Sequence, residues 1–399
     1  MPLTATRPTD RDTALTATVL ASVVLITAIA PLATDTYVPA FPLVARELGT
    51  GATEVQLTLT TFFVGMAAGQ LLGGPFSDRI GRRRPMLISL VVLTAASVLC
   101  AFSPTIGVLM VARLLQGFSG GWAMVIARSI VVDLTSGDGL VRAMNVVAGV
   151  AGIAPIVGPL LGAAVLRFSH WRVSFWVVAG LAALMVVTVA VGVPETLRQR
   201  GEPFTSAVLR NRGFTGYLVV FAFSMGTIFA YVATSAFVLQ SMNGLSPVAY
   251  SVDFALNAVG LTVATLISAR LADRVPTRQV VLIGLAATGA AGVTLLGGAL
   301  AGMPLPAALI GFFVLMTAQG LVGPNAGALA SAHVPEHPGT GSALLGFLQW
   351  CMAGVVAPLA GLGGERSAVP MAAIVLALTA LSLFALITNQ RGSHPCVES

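Results

Sequence analysis

Twelve predominantly apolar stretches follow one another along this chain, each long enough to cross a bilayer. A helix needs about 20 apolar residues to span the hydrocarbon core. Runs of that length fall near 15–42, 54–77, 85–103, 105–132, 142–168, 172–194, 213–240, 247–270, 279–300, 305–332, 339–363 and 369–389. Backbone polar groups in lipid must be satisfied within the element itself, so runs of this kind can only be helices. The charge content agrees: 9% of the 399 residues are charged, against about 25% in a soluble domain. With a mean hydropathy of +0.92, the solvent for most of this chain is lipid. The expected fold is an all-α membrane protein with 12 transmembrane helices.

The arginines orient these helices. All 21 basic residues are Arg, and a net charge of +6 in a soluble protein would point to nucleic acid. Here the charge sits in short loops between apolar runs and reads as topology, with no nucleic-acid partner implied. With the N-terminus inside, fifteen arginines fall in inner loops and tails (among them Arg79, Arg82, Arg83, Arg84, Arg142, Arg210, Arg270, Arg274 and Arg278). Four fall outside: Arg46, Arg167, Arg172 and Arg366. Both termini of this multi-pass chain are therefore expected on the cytoplasmic side of the membrane. The first apolar run follows about a dozen polar residues without a small-residue cleavage site and reads as a retained helix.

The polar stretch that begins at Glu195 is the longest internal break. It divides the chain into 1–194, a cytoplasmic linker over 195–212, and 213–399. The two halves echo each other. Gly74-Pro-Phe-Ser-Asp78-Arg79-Ile-Gly81-Arg82-Arg83 closes the second span, and Ala269-Arg-Leu-Ala-Asp273-Arg274-Val-Pro276-Thr-Arg278 closes the eighth. Gln116-Gly117 in the fourth span recurs as Gln319-Gly320 in the tenth. Two pseudo-symmetric six-helix bundles with a substrate site between them near the midplane are the expected arrangement.

These features resemble the major facilitator superfamily over nearly the whole chain. More narrowly they resemble the bicyclomycin/chloramphenicol-resistance (Bcr/CflA) branch of drug:proton antiporters. The loop from Gly74 to Pro85 is similar to the superfamily signature between helices two and three. Asp35-Thr-Tyr37-Val-Pro39-Ala and Gly339-Thr-Gly341-Ser-Ala-Leu-Leu-Gly-Phe-Leu-Gln349 resemble patterns of that branch, and Arg113-Leu-Leu-Gln116-Gly117 resembles the proton-transfer motif of helix four. In the fifth span Gly158-Pro159-Leu-Leu-Gly162 matches the antiporter motif, while Asn145, Ala154 and Ala163 replace glycines expected there. Close packing should survive with alanine, but the departure weakens the inference of antiport.

Ionisable residues inside a membrane are costly and mark function. Asp35 and Arg113 are the clearest, each roughly 10–12 Å below the outer surface by helical rise. They are expected to face the cavity, to pair, and to couple proton movement to substrate. Burial disfavours the carboxylate and a nearby guanidinium favours it, so access to water and substrate can tip the balance. The alternatives are an interfacial Asp at the Pro39 break and a structural Arg donating to freed carbonyls.

Tyr37, Tyr231, Asn257, Gln349 and Trp350 are candidates for a surface that holds an amphiphilic substrate, although most membrane aromatics only pack. Asp253 reads as a solvated position near the outer end, and Arg128 and Asp133 as an interfacial pair. Asp78, with Gly74, Arg79, Gly81 and Arg82, forms a candidate gate. The resemblance has Asp78 latch onto the start of helix eleven near Pro338 in the outward-facing state. Gly65, Gly69 and Gly73, four residues apart, suit close helix approach.

The composition also sets exclusions. The three cysteines are scattered, the four histidines fall in loops or the tail, and no metal spacing occurs. No phosphate-binding loop is present, so the expected energy source is a proton gradient, with no cofactor and no enzymatic role. The expected function is export of a small-molecule drug or antibiotic by a protein that works as a monomer. A proton-coupled nutrient symporter on the same fold is the nearest rival. An integral membrane enzyme is a third reading, which would need a nucleophile cluster at membrane depth.

Overall fold

The computed structural model describes residues 16–135, 137–197, 206–271, 274–336 and 338–388. Its twelve long helices are α1 (Ala17–Glu47), α2 (Ala52–Ile80), α3 (Arg83–Ala101), α4 (Ile106–Leu134), α5 (Gly137–Phe168) and α6 (Arg172–Gly192) in the first half. The second half contains α7 (Arg212–Met242), α8 (Pro247–Leu271), α9 (Thr277–Leu300), α10 (Leu305–Ala332), α11 (Pro338–Ala360) and α12 (Val369–Thr388). Eleven of these are long and apolar enough to cross a membrane among the described residues. The remaining one, α5, has 32 residues, with its apolar part over Gly152–Phe168. Asp273, in the repeated loop, lies outside the described residues.

Within the first half, α2 packs on α4, α3 on α4 and α6, and α1 on α4, α5 and α6. The second half repeats the pattern: α8 on α10, α9 on α10 and α12, and α7 on α10, α11 and α12. The halves meet chiefly where α2 lies against α11 and α5 against α8.

Glycine makes the tightest of these crossings. β-Carbons placed on Gly65 and Gly69 of α2 would run into the Leu114 and Phe118 carbonyls of α4. From the other side, Gly117 and Gly121 meet the Phe62 and Met66 carbonyls. The helices are in backbone contact along both faces, as the four-residue glycine spacing on α2 anticipates. In the second half Gly320 of α10 meets the Leu261 carbonyl of α8 in the same way.

A repeated side-chain bridge ties each bundle through its middle. Gln116 donates to Ser97 of α3 at 2.8 Å and accepts from Arg113, which itself reaches α1. Gln319 donates to Thr288 of α9 at 3.0 Å and accepts from Ser224 of α7. All of these groups are buried, where a polar atom left unpaired costs far more than a paired one gains. The duplicated Gln-Gly dipeptide thus marks one structural element used twice.

Candidate functional site

Asp35 ends the regular part of α1. Pro39 has no N–H for the Asp35 carbonyl four residues back, so the α-helix stops at Asp35 and the chain passes through a short tight turn at Val38–Ala40. It resumes as Phe41–Glu47. The Asp35 side chain is buried, 5% exposed, and its Oδ1 accepts from Thr34 Oγ1 at 2.9 Å. No cation pairs with it among the described residues.

Helix α5 presses against this break. A β-carbon on Gly158 would lie 2.8 Å from Asp35 Cβ, and one on Gly162 would strike the Thr36 carbonyl. The Gly158-Pro159-Leu-Leu-Gly162 motif therefore lets a helix backbone cover the acid. Ala154 and Ala163 are buried in the same helix without disturbing that approach. The side chain of Asn145 lies outside the described residues.

Arg113 does not pair with Asp35, and that expectation is corrected. Its Nη1 donates to the Ala33 carbonyl at 3.2 Å and to Gln116 Oε1 at 2.6 Å. The guanidinium lies 4.2 Å from the Phe62 ring centre and 5.3 Å from that of Tyr37, where ring faces stabilise a cation. The reason is angular: Ala33 and Asp35 are two residues apart, about 200° around a helix. The face of α1 that meets α4 cannot also present Asp35, which turns toward α5.

Tyr37 is likewise reassigned. It is fully buried, its hydroxyl is 3.2 Å from Thr58 Oγ1, and its ring packs on Phe41 and Phe175. It lies in the interior of the first bundle, as a wall for Arg113.

The second half supplies a facing polar cluster. Asn257 Nδ2 donates to the Tyr231 hydroxyl at 3.0 Å and to Asp253 Oδ2 at 2.9 Å. Tyr250 shares a hydrogen bond with Ser235 at 3.1 Å. The Val38–Ala40 turn, just past Asp35, touches both α7 and α8, the helices that carry this cluster. Asp253 is half-buried and held by Asn257, not the freely solvated group expected from its depth. Tyr250 escaped the sequence reading, although Tyr250, Asp253 and Asn257 stand at the i, i+3, i+7 spacing of one helix face.

Trp350 is buried between Phe63 of α2 and Phe229 of α7, with ring centres 5.7 and 5.6 Å away. Gln349 is half-buried beside it.

The hydrogen bonds that join the halves gather at one end. Gln56 Nε2 donates to the Ala233 carbonyl at 2.9 Å and Gln240 Nε2 to the Pro39 carbonyl at 3.1 Å, while Thr53 reaches Gly361 at 3.5 Å. Phe41 packs on Phe237 beside them. All lie at the arginine-poor end, which is closed. Neither glutamine was singled out by sequence. Gln56→Leu removes one bond worth about 1 kcal/mol. It is expected to shift the population roughly fivefold toward opening at this end, read as a longer distance between spin labels at Glu54 and Leu362. An unchanged distance distribution would show that this contact does not hold the end shut.

At the arginine-rich end the candidate gate is engaged within the first half. Asp78, on the last turn of α2, forms an ion pair with Arg82, and Arg82 Nε also meets Asp133 Oδ2 at 3.0 Å. An anion at a helix C-terminus opposes the helix dipole, and the Arg82 charge offsets this. Asp133 thus serves Arg82, and the expected Arg128–Asp133 pair is not formed. The expected latch between Asp78 and the start of α11 is also not made among the described residues. Gly81 takes a φ of 101° and ends α2, its N–H bonded to the Ser77 carbonyl at 3.0 Å. Gly74 lies within the helix with room beside it, and Arg79 is exposed.

Glu195 caps α3, accepting from the backbone N–H of Arg82 at 2.7 Å and of Arg83 at 3.2 Å. Partial burial pushes its pKa up, but these donors and the N–H groups of Thr196 and Leu197 outweigh it and hold the carboxyl below its usual range.

The model of the Major Facilitator Superfamily matches residues 23–358 of this chain. The chain belongs to that superfamily. The major-facilitator protein YdgK of Bacillus subtilis, described as an uncharacterized MFS-type transporter, is 34% identical over 378 residues, covering 91% of this chain and 94% of its own. A "Bicyclomycin resistance protein homolog" of Haemophilus influenzae is 27% identical, covering 89% and 92%. The crystal structure of the POT family transporter PepTSo superimposes with a TM-score of 0.76 at 13% identity over 94% of this chain and 99% of that one. The last comparison establishes the fold alone. As a major facilitator the chain is a multi-pass transporter and not an enzyme.

Proposed function

We propose that this major facilitator is a proton-coupled exporter of small amphiphilic molecules, with the arginine-rich end in the cytoplasm of a bacterial inner membrane and a monomer as the working unit. The observation that carries the reading is Asp35. It is a buried carboxyl without a cation among the described residues, at a helix break beneath the Gly158–Gly162 face of α5 and next to a turn that touches α7 and α8. Such a group is tolerated in a membrane interior only if it gives up its charge at some stage.

With the arginine-poor end shut, the cavity faces the cytoplasm. Asp35 releases its proton there and substrate binds. Rocking of the halves opens the opposite end, where proton uptake by Asp35 displaces the substrate outward. Arg113, anchored on the Ala33 carbonyl, holds the last turn of α1 so that protonation moves the helix break and not the whole bundle. Asn257 carries a buried acceptor, Oδ1, without a partner among the described residues, and with Tyr231, Gln349 and Trp350 it would meet the substrate. Asp78 with Gly74, Arg79, Gly81 and Arg82 would exchange its Arg82 contact for α11 when the cytoplasmic end closes. The name of the Haemophilus relative supports an antibiotic as cargo.

The test uses inverted membrane vesicles acidified by respiration and followed with a pH-quenched dye. Substrate-dependent proton release on adding bicyclomycin, chloramphenicol or a cationic dye is expected. Proton movement in the same direction as substrate would establish the symporter instead.

A further inference from the structure

Arg128 is a second arginine inside a span, and unlike Arg113 it has no oxygen partner among the described residues. Its described side-chain contact is Nη2 to the Met124 sulfur at 3.8 Å, a weak acceptor. The same sulfur receives Gln70 Nε2 at 3.4 Å. Asp133, the nearest acid along the helix, is held by Arg82 and by Thr196 at 3.1 Å. Arg128 is half-buried and stands six residues before the end of α4, about 9 Å from it by helical rise, where a cation without a counter-charge is costly.

The geometry gives this cation a direction. A β-carbon on Gly346 of α11 would lie 2.7 Å from Gln70 Oε1 and 3.6 Å from Arg128 Nη1. Both polar heads therefore point across the seam between the halves, toward a position of α11 that bears no side chain. The three described hydrogen bonds that close the seam lie at the opposite end. One turn further along α11, about 6 Å away, stands Trp350 with the half-buried Phe229. A guanidinium and an amide thus sit near an aromatic surface, on the part of the seam away from the three hydrogen bonds that join the halves.

We propose that Arg128 and Gln70 form a subsite for the anionic group of an amphiphilic substrate, whose aromatic body lies toward Phe229 and Trp350. The guanidinium fork binds a carboxylate through two parallel hydrogen bonds. Gln70 faces Gly346 with Oε1 and donates Nε2 to Met124 in the absence of ligand, and its amide turns over to offer Nε2 to the anion. The substrate brings the counter-charge that no described residue supplies. This inference rests on the exporter reading only for the direction of travel, since binding itself needs no proton gradient.

The experiment measures binding to the purified full chain in lipid nanodiscs, by thermal stabilisation with naphthalene carboxylate and with the neutral naphthalene carboxamide. Wild type is expected to reach half-maximal stabilisation with the carboxylate at a concentration about tenfold lower, the scale of a charge-assisted hydrogen bond. Arg128→Gln is expected to abolish the preference, and Arg128→Lys to keep part of it. Equal binding of both compounds by wild type, or an unchanged preference in a monodisperse Arg128→Gln protein, overturns the proposal. If Arg128→Gln does not fold, Gln70→Leu must reduce the preference at least about threefold through its lost hydrogen bond, and no reduction overturns it equally. Loss of proton release in vesicles with the carboxylate preference intact would reject the exporter reading and leave this subsite standing.

Discussion

Asp35→Asn is expected to leave a folded transporter that exchanges substrate but cannot drive it. Asn is isosteric, its Oδ1 still accepts from Thr34, and no cation loses a partner, because none is paired with Asp35 among the described residues. Stability should therefore stay within about 0.5 kcal/mol of wild type, the range of substitutions that break no packing or network. What disappears is a titratable group at the helix break. Uphill accumulation in inverted vesicles should fall to background. The loss is about 100-fold or more, because an equilibrium that gains nothing from the proton has no bias between the two facing states. Substrate counterflow, which needs only alternating access, should persist within a factor of a few. Wild-type accumulation by the variant would remove Asp35 from the coupling step. Loss of both activities in a well-folded protein would make its role structural.

Much of this was legible from residues alone, and the boundary between what was and was not is physical. Hydrophobic length found the spans because lipid admits no other backbone arrangement. The duplicated Gln-Gly was readable as a repeat, and its chemistry became clear only once Ser97 and Thr288 were seen to occupy matching places. Depth along a helix was also readable, since rise per residue is fixed. Azimuth was not: Asp35 and Arg113 share a depth, yet they face different neighbours. The same blindness hid Gln56 and Gln240, ordinary amides whose importance lies in carbonyls contributed by the other half. It also placed Tyr37 on the cavity, when its own neighbours Thr58 and Phe175 enclose it. Asp253 was misjudged because depth alone suggested water, while Asn257 one turn on supplies its partner.

Gly117→Val is expected to prevent assembly of the first bundle. The obstacle is backbone: a β-carbon there meets the Phe62 carbonyl oxygen, with the Phe62 carbonyl carbon at 2.8 Å and Cα at 3.0 Å. No rotamer change relieves such a clash, so α2 and α4 must separate. Separation also opens the Gly65 and Gly69 contacts with Leu114 and Phe118. In lipid, close van der Waals approach is a main force holding helices together. The neighbouring Gln116, which fixes Arg113 and Ser97, would shift with α4 and leave buried donors unpaired. Overpacking costs about 1–3 kcal/mol where side chains can yield and more where they cannot. Unpaired buried groups add about 1–3 kcal/mol each, against a total stability of about 5–15 kcal/mol. The expected result is loss of monodisperse protein in detergent. Gly297→Val, at a position with nothing within 4 Å of the new carbon, should purify as wild type. Truncating Phe62 should not rescue Gly117→Val, since the collision is with its main chain. A rescue by Phe62→Ala would mean that side-chain crowding, and not backbone contact, sets this crossing.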